Sequence, residues 1–594
     1  MTNLKARQEA EHFLNHEKQF HLGVLPTEQS NPKTRNIDLV FEKNPPEGVA
    51  ALLSVDRDIQ HMAWKILQSG EFHQLVDAGV DVLGKGGNMV FSGCGSTGRL
   101  SILLEAMWRY FFRTVNTRHP DIYHGLRLLE NRVFSIMTGG DYALVRSVEY
   151  FEDYQEFGKQ QVRELEMTDG DMLVAITEGG ETSSVLGTAE EAADRGAKVF
   201  LLFNNPVSVL VENIERSRRA IEDPRITVLE LYCGPMAIAG STRMQATSAE
   251  LLVAGAALEM ILVRSISPMM THDQQDMLNI RELDHAQAFG KLLDDLSAPG
   301  AAAMLSRYIE LEKKIYDQKG LVTYFANEFL LDIFTDTTER SPTFMLPPFR
   351  KSDDRISPVS WAFVKSPLYP TPDVWEHVLG RPPRCLEWDS RRYRQMGAPE
   401  NLAAAPPKLD RHEILKFLIG NEHDDSRLSR TPNIAVSIEG KRETMDPGYD
   451  AYRKAFKIGA SGFNRQYTLL IGHDDASADF CISCEPTSSA LNLMERLAVK
   501  LVLNTISTGT MVMSGRVTGN WMTWVEVTNK KLRDRGIRLI AEICGMSYRD
   551  ACYALHETLE RFRMGNTGGG ERLSPVQYTI ERCGTGAGQK GEKP

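Results

Sequence analysis

The stretch FSGCGSTGRLSILLEA, residues 91–106, places Gly93, Gly95 and Gly98 directly after an apolar run and directly before an apolar-periodic helix pattern. Glycines let a backbone turn tightly at the end of a strand, and the unpaired N–H groups of the helix start that follows favour an anion. The spacing is a G-x-G-x-x-G, but a dinucleotide site also needs an acid roughly 20 positions further on to hold the ribose hydroxyls. No acid stands between Glu105 and Asp121, and no G-K-[ST] follows to make a P-loop. A smaller phosphate fits better, because Ser96 and Thr97 add hydroxyl donors beside the backbone of Gly95. The alternative is a tight turn whose hydroxyl merely caps the helix.

Two groups of carboxylates stand out. Glu152 lies among Glu149, Asp153 and Glu156, and taken alone such a row reads as a solvated helix face. Asp332, Asp336 and Glu339 recur at helical spacing and read as a polar stripe ending before Pro342. The pair Cys481-x-x-Cys484 has no second pair and no histidine spacing to complete four zinc ligands, so it reads as buried strand cysteines, and no metal site is expected.

The elements that must position these groups follow from periodicity. NMVFSG, RVFSIMTGG, DMLVAITE, KVFLLFNN and ITVLELY read as buried strands alternating with helical stretches such as LSILLEAMWRYFF. Alternation of that kind predicts an α/β fold with a parallel sheet covered by helices and ligands at the carboxyl ends of the strands. A second, looser alternation offers LVTYFAN, NIAVSIE, YTLLIGH and DFCISCE. Both halves end on hydroxyl residues opening a long apolar helix, GSTRMQATSAELLVAGAALEMIL and PTSSALNLMERLAVKLVLNTISTGTMVM, which reads as an internal duplication. The expected organisation is an N-terminal segment 1–59, a first domain 60–285, a second domain 286–515, a helical region 516–563 and a flexible tail 564–594. A Pro- and Arg-rich insertion with three tryptophans interrupts the second half at about 345–412.

At 594 residues the chain is long enough for more than one core, and its 42% hydrophobic and 25% charged residues are ordinary for a globular protein. The formal charge of −11 argues against a nucleic-acid surface. Eight cysteines are too sparse for a disulfide scaffold, and the charged opening lacks a signal-peptide core. With no apolar run near the roughly 20 residues that cross a bilayer, a cytoplasmic protein is expected.

GCGSTGR at 93–99, TGGDYALVRSVEYFED at 138–153, AITEGGETSSVLG at 175–187, AGSTRM at 239–244, VTNKKL at 527–532 and the early TEQSNPKTRNID at 27–38 resemble the sugar isomerase (SIS) domain family. Within it the resemblance is to the branch of N-acetylmuramic acid 6-phosphate etherases and the glucokinase regulatory protein. It implies two tandem SIS domains and a sugar-phosphate ligand, with no cofactor. The etherases remove the proton α to the carbonyl of the ring-opened sugar and expel lactate from C3, using two glutamates. The base matches Glu152. The acid lies eight residues beyond the loop arginine, which in the first half is Met107, whereas DTTERSPTF in the second half puts a glutamate at Glu339. The second half in turn has NEFLLD in place of the glycine loop.

Each half therefore kept what the other lost, and the resemblance implies one composite site and a second, dead one. Gly95, Ser96, Thr97, Gly180, Thr182, Ser183, Ser241, Thr242 and Lys531 are the positions it assigns to the sugar phosphate. Gly179, Glu181 and Gln245 depart from a serine, an arginine and a lysine of the etherases. An unpaired buried carboxylate at Glu181 would repel a phosphate. The expected activities are a lyase cleaving the lactyl ether, a non-catalytic sensor that binds a partner such as a sugar kinase, or a sugar-phosphate isomerase. The expected assembly is a monomeric pseudo-dimer or a homodimer.

Overall fold

The computed structural model describes residues 2–148, 150–472, 477–565 and 574–587. Glu149, the GGG of the tail and everything beyond 587 lie outside them. Five strands of the first half, β1 (Met89–Gly93), β2 (Val133–Met137), β3 (Met172–Ile176), β4 (Lys198–Phe203) and β5 (Ile226–Glu230), form a parallel sheet in the order β2-β1-β3-β4-β5. Five more, β6 (Leu321–Phe325), β7 (Ala362–Lys365), β8 (Asn433–Gly440), β9 (Arg465–Ile471) and β10 (Phe480–Ile482), form a second in the order β10-β9-β8-β6-β7.

Read from its other edge, the second sheet runs β7-β6-β8-β9-β10, the same winding as the first, so the duplication extends to topology. In both, the order reverses at the first strand, and the crevice at such a switch point is where α/β sheets take ligands. β1, β3 and β6 are buried along their whole length, as parallel strands covered on both faces must be.

The halves meet through equivalent helices. Gln245–Ile266 of the first packs on Leu493–Met513 of the second so closely that a Cβ on Gly255 would lie 2.5 Å from Leu493 Cδ1. By length and composition Gln245–Met269 could cross a bilayer, but 94% of its apolar window is buried inside the protein, which makes it a core helix.

Several expectations change. β7 lies inside the segment read as an insertion and pairs in register with β6, Val322 opposite Ala362. Flanking prolines and its four-residue length hide it from periodicity. A helix, Pro45–Ile66, runs across the expected 59/60 boundary. Part of the expected flexible tail is the helix Pro575–Ala587, anchored because Gly536 leaves room for Val576, whose Cγ2 lies 2.9 Å from where a Cβ would stand. Cys481 is partly exposed on β10, and Cys484 is buried beyond the strand end.

Candidate active site

β1 ends at Gly93, where a Cβ would lie 2.4 Å from Thr97 O, so the chain can fold straight back into the helix Ser96–Arg118. Gly95 takes φ 55°, a left-handed backbone that favours glycine. The Thr97 hydroxyl closes the turn, donating to Cys94 O at 2.8 Å and accepting from Cys94 N at 2.9 Å. It is spent on the loop and does not face a ligand, and neither Thr97 nor Ser96 lines the cavity. The loop offers Cys94 and Gly95 instead.

That cavity, of about 180 Å³, also draws its walls from Glu152, Ser241, Thr242, Arg243, Glu339, Asn529 and Lys531. Glu339 Oε1 lies 3.9 Å from where a Cβ on Gly95 would stand. The carboxylate of the second half thus hangs over the glycine loop of the first. Its ionic partner is Arg99, fully buried and held by the carbonyls of Leu144 (3.1 Å) and Ala143 (2.9 Å).

The stripe that carries Glu339 is not solvated. On the helix Leu330–Phe344, which runs through Pro342 to its last turn, Asp332 meets Arg496, and Asp336 meets Arg243 at 2.8 Å and Arg340 at 2.7 Å. Helical spacing is the same for a wet face and for one buried against another domain, so sequence periodicity does not separate them.

Glu152 is not on a helix face. It stands in a single 3₁₀ turn, Phe151–Asp153, before the helix Gln155–Glu164, and accepts from Asn529 Nδ2 at 2.9 Å. Asn529 also caps the helix Lys530–Cys544, which brings Lys531 to the cavity. The Ser241 hydroxyl is buried at the cavity wall with no hydrogen-bond partner among the described residues.

Gly180, Thr182 and Ser183 do not reach the cavity. Gly180 turns against Leu210 and Phe203, and Thr182 accepts from the Thr177 hydroxyl at 3.0 Å. Glu181 is not unpaired: Lys531 Nζ and Arg216 Nη2 both lie 2.7 Å away. Burial works to raise its pKa, but the two cations outweigh this and hold it at about 2. Burial likewise opposes charge on Lys531, yet Glu181, Glu28 and Glu152 keep that ammonium above its usual pKa. Gln245 holds Ala237 N and Asp56 in the core, away from the cavity.

Glu178, two residues beyond β3 at the switch point, lies outside the cavity lining, accepts from the Thr247 hydroxyl at 3.4 Å and was not singled out from sequence. Burial pushes its pKa up to about 7, Lys531 opposes this, and Glu339 adds to it. An acid raised above its unfolded value destabilises the fold increasingly as pH climbs from about 4.5 to about 7. The new charge also opposes an anion nearby. Affinity for a sugar phosphate should therefore fall as pH rises through about 7, and Glu178→Gln should flatten that profile in calorimetric titrations from pH 6 to 8.

The opposite composite position is a cavity of about 410 Å³ lined by Met107, Asn327 and Glu328. The Met107 thioether lines it, and Glu328 there is bound by Arg442 and Tyr110.

The glucokinase regulatory protein N-terminal SIS domain family matches residues 73–192. N-acetylmuramic acid 6-phosphate etherase of Clostridium acetobutylicum is 30% identical over 237 residues, 39% of this chain and 67% of that protein. The chain belongs to the SIS family, in the branch of the N-acetylmuramic acid 6-phosphate etherases and the glucokinase regulatory protein. Another etherase of this branch, from Rippkaea orientalis, is 34% identical over 224 residues, 38% of this chain, and the match spans 63% of its length. Among solved SIS-like structures, the C-terminal domain of glucosamine-fructose-6-phosphate aminotransferase from Francisella tularensis aligns with 81% of this chain and 97% of its own at a TM-score of 0.41 and 10% identity.

Proposed function

We propose that this SIS protein binds an amino-sugar 6-phosphate at the cavity between Gly95 and Glu339 and cleaves the D-lactyl ether of N-acetylmuramic acid 6-phosphate by elimination. The observation that carries the reading is the approach of Glu339 to within 3.9 Å of the Cβ position at Gly95, in a cavity that also holds Glu152 and Lys531. The phosphate lies against the Cys94–Gly95 backbone, the Ser241 hydroxyl and Lys531. Glu152 takes the proton from C2 of the open-chain sugar, and the C–H electron pair forms the C2–C3 double bond. The C3–O bond breaks, its electrons stay on the ether oxygen, and Glu339, in its neutral acid form, supplies the proton that makes it the hydroxyl of lactate, leaving a carboxylate for Arg99 to hold.

Incubation with the muramic acid phosphate should release one lactate per unsaturated sugar. A protein that binds the sugar phosphate and releases no lactate supports a second reading, a sensor, which the match to the glucokinase regulatory protein domain favours. In that case a ligand at about 100 times its Kd still stabilises the fold by roughly 2.7 kcal/mol, and a kinase-class partner is the next thing to seek. Interconversion of aldose and ketose phosphates without lactate release would assign the isomerase instead.

Glu181 has a measurable consequence on this reading. It competes with phosphate for Lys531, so Glu181→Gln should tighten sugar-phosphate binding, by up to about tenfold or 1.4 kcal/mol in calorimetry. Unchanged affinity would remove Lys531 from the phosphate site.

A further inference from the structure

The connection from β2 to β3 carries Glu152, and the corresponding connection from β7 to β8 in the second half contains residues 366–432. That second connection leaves its own sheet and binds the first. Arg381 pairs with Asp141, placing Nη2 3.2 Å from Oδ1, and donates through Nε to Glu105 at 3.0 Å. Arg384 N donates to Asp141 Oδ2 at 2.6 Å, while Asp141 N donates to Arg384 O at 2.9 Å. Gly140, at φ 70°, lets Leu386 approach within 3.0 Å of where a Cβ would stand. These contacts fix the start of the segment that leads to Glu152.

The far end is fixed as well. The Trp388 ring lies parallel to Phe151, 6.1 Å between centroids at 5°, and meets Phe157 edge-on at 5.7 Å. Its indole N–H donates to Glu164 at 2.6 Å, and Tyr393 packs on both phenylalanines. Phe151 is the immediate neighbour of Glu152. Tyr150, just before it, takes φ 70°, a left-handed backbone uncommon for a bulky residue and one that persists only where its surroundings hold it.

We infer that residues 381–393 are a strap by which the second half positions Glu152, with Trp388 as the positioning residue at the Phe151 end. The second half would then supply both the acid at Glu339 and the support for the base. The proposal rests on the lyase reading for its kinetic consequence, but not for its structural one.

The test compares wild type, Trp388→Ala and Trp388→Phe in the full chain. Hydrogen exchange of the amides at 146–155 should rise at least tenfold in Trp388→Ala while the strands β1–β5 keep their protection. The kcat for lactate release should fall at least tenfold with KM within twofold, since the phosphate contacts are untouched. Trp388→Phe, which keeps a ring on Phe151, should recover most of both. Unchanged exchange at 146–155 in a folded Trp388→Ala overturns the strap, as does a loss of protection spread evenly over the first sheet with kcat and KM changing together. A wild type that releases no lactate defeats the lyase reading, and the exchange pattern still decides the strap.

Discussion

Replacing Glu339 with glutamine should slow lactate release from N-acetylmuramic acid 6-phosphate by about 10²- to 10⁴-fold, the usual worth of a positioned general acid. Glutamine keeps the shape and can still accept from Arg99, but it cannot give a proton to the departing oxygen. The loss should appear in kcat, because the phosphate contacts at Gly95, Ser241 and Lys531 remain. Arg99 would lose its ionic partner, and removing one member of a buried pair can cost about 3–5 kcal/mol. The cost here should fall below that range, since Arg99 retains the carbonyls of Leu144 and Ala143 and Glu339 is partly exposed. Single-turnover lactate assays alongside urea unfolding separate the two effects. A Glu339→Gln protein with wild-type kcat would show that the acid lies elsewhere.

The largest loss of stability should come from Asp336→Ala. Asp336 is 2% exposed and accepts from Arg243 at 2.8 Å, Arg340 at 2.8 Å, the Ser507 hydroxyl at 2.7 Å and Asn504 at 3.1 Å. Its removal leaves the buried guanidinium of Arg243 at the junction of the halves without its anion, while Arg340 keeps Glu312 at 2.7 Å, at a cost of about 3–5 kcal/mol. Asp425, which is exposed, serves as the control and should change stability by under about 0.5 kcal/mol. Burial acts to raise the Asp336 pKa, but Arg340 and Arg243 outweigh it and hold it below the ordinary carboxylate range. Its contribution is therefore present above the unfolded value of about 3.8 and is lost as pH falls through the lower folded value. The variant should show a shallower acid limb in stability against pH. A change below about 1 kcal/mol would mean that the charges of this interface are not coupled as their geometry implies.

Much of this protein was legible in one chain of letters. The nine strand candidates named from apolar runs all became strands, and the central ones, β1, β3 and β6, are buried along their whole length, which is why they read as near-continuous apolar runs. The glycine loop was legible because only glycine permits the close return at Gly93 and the φ at Gly95.

What no local pattern contained was the direction in which equivalent polar residues face. Asp332, Asp336 and Glu339 have the spacing of a wet stripe, and only packing against the first half turned them into buried ion pairs and a cavity wall. Thr97 and Glu181 were assigned to a ligand or set against one, and the fold gave both to internal partners: Cys94 for the first, Arg216 and Lys531 for the second. Trp388 could not be placed at all from sequence, because its partner Phe151 lies more than two hundred residues away. Local periodicity marks the apolar faces that must be buried, whereas the identity of a buried polar group's partner depends on how distant segments pack, and in this chain that packing brings residues of both halves to the cavity beside Gly95.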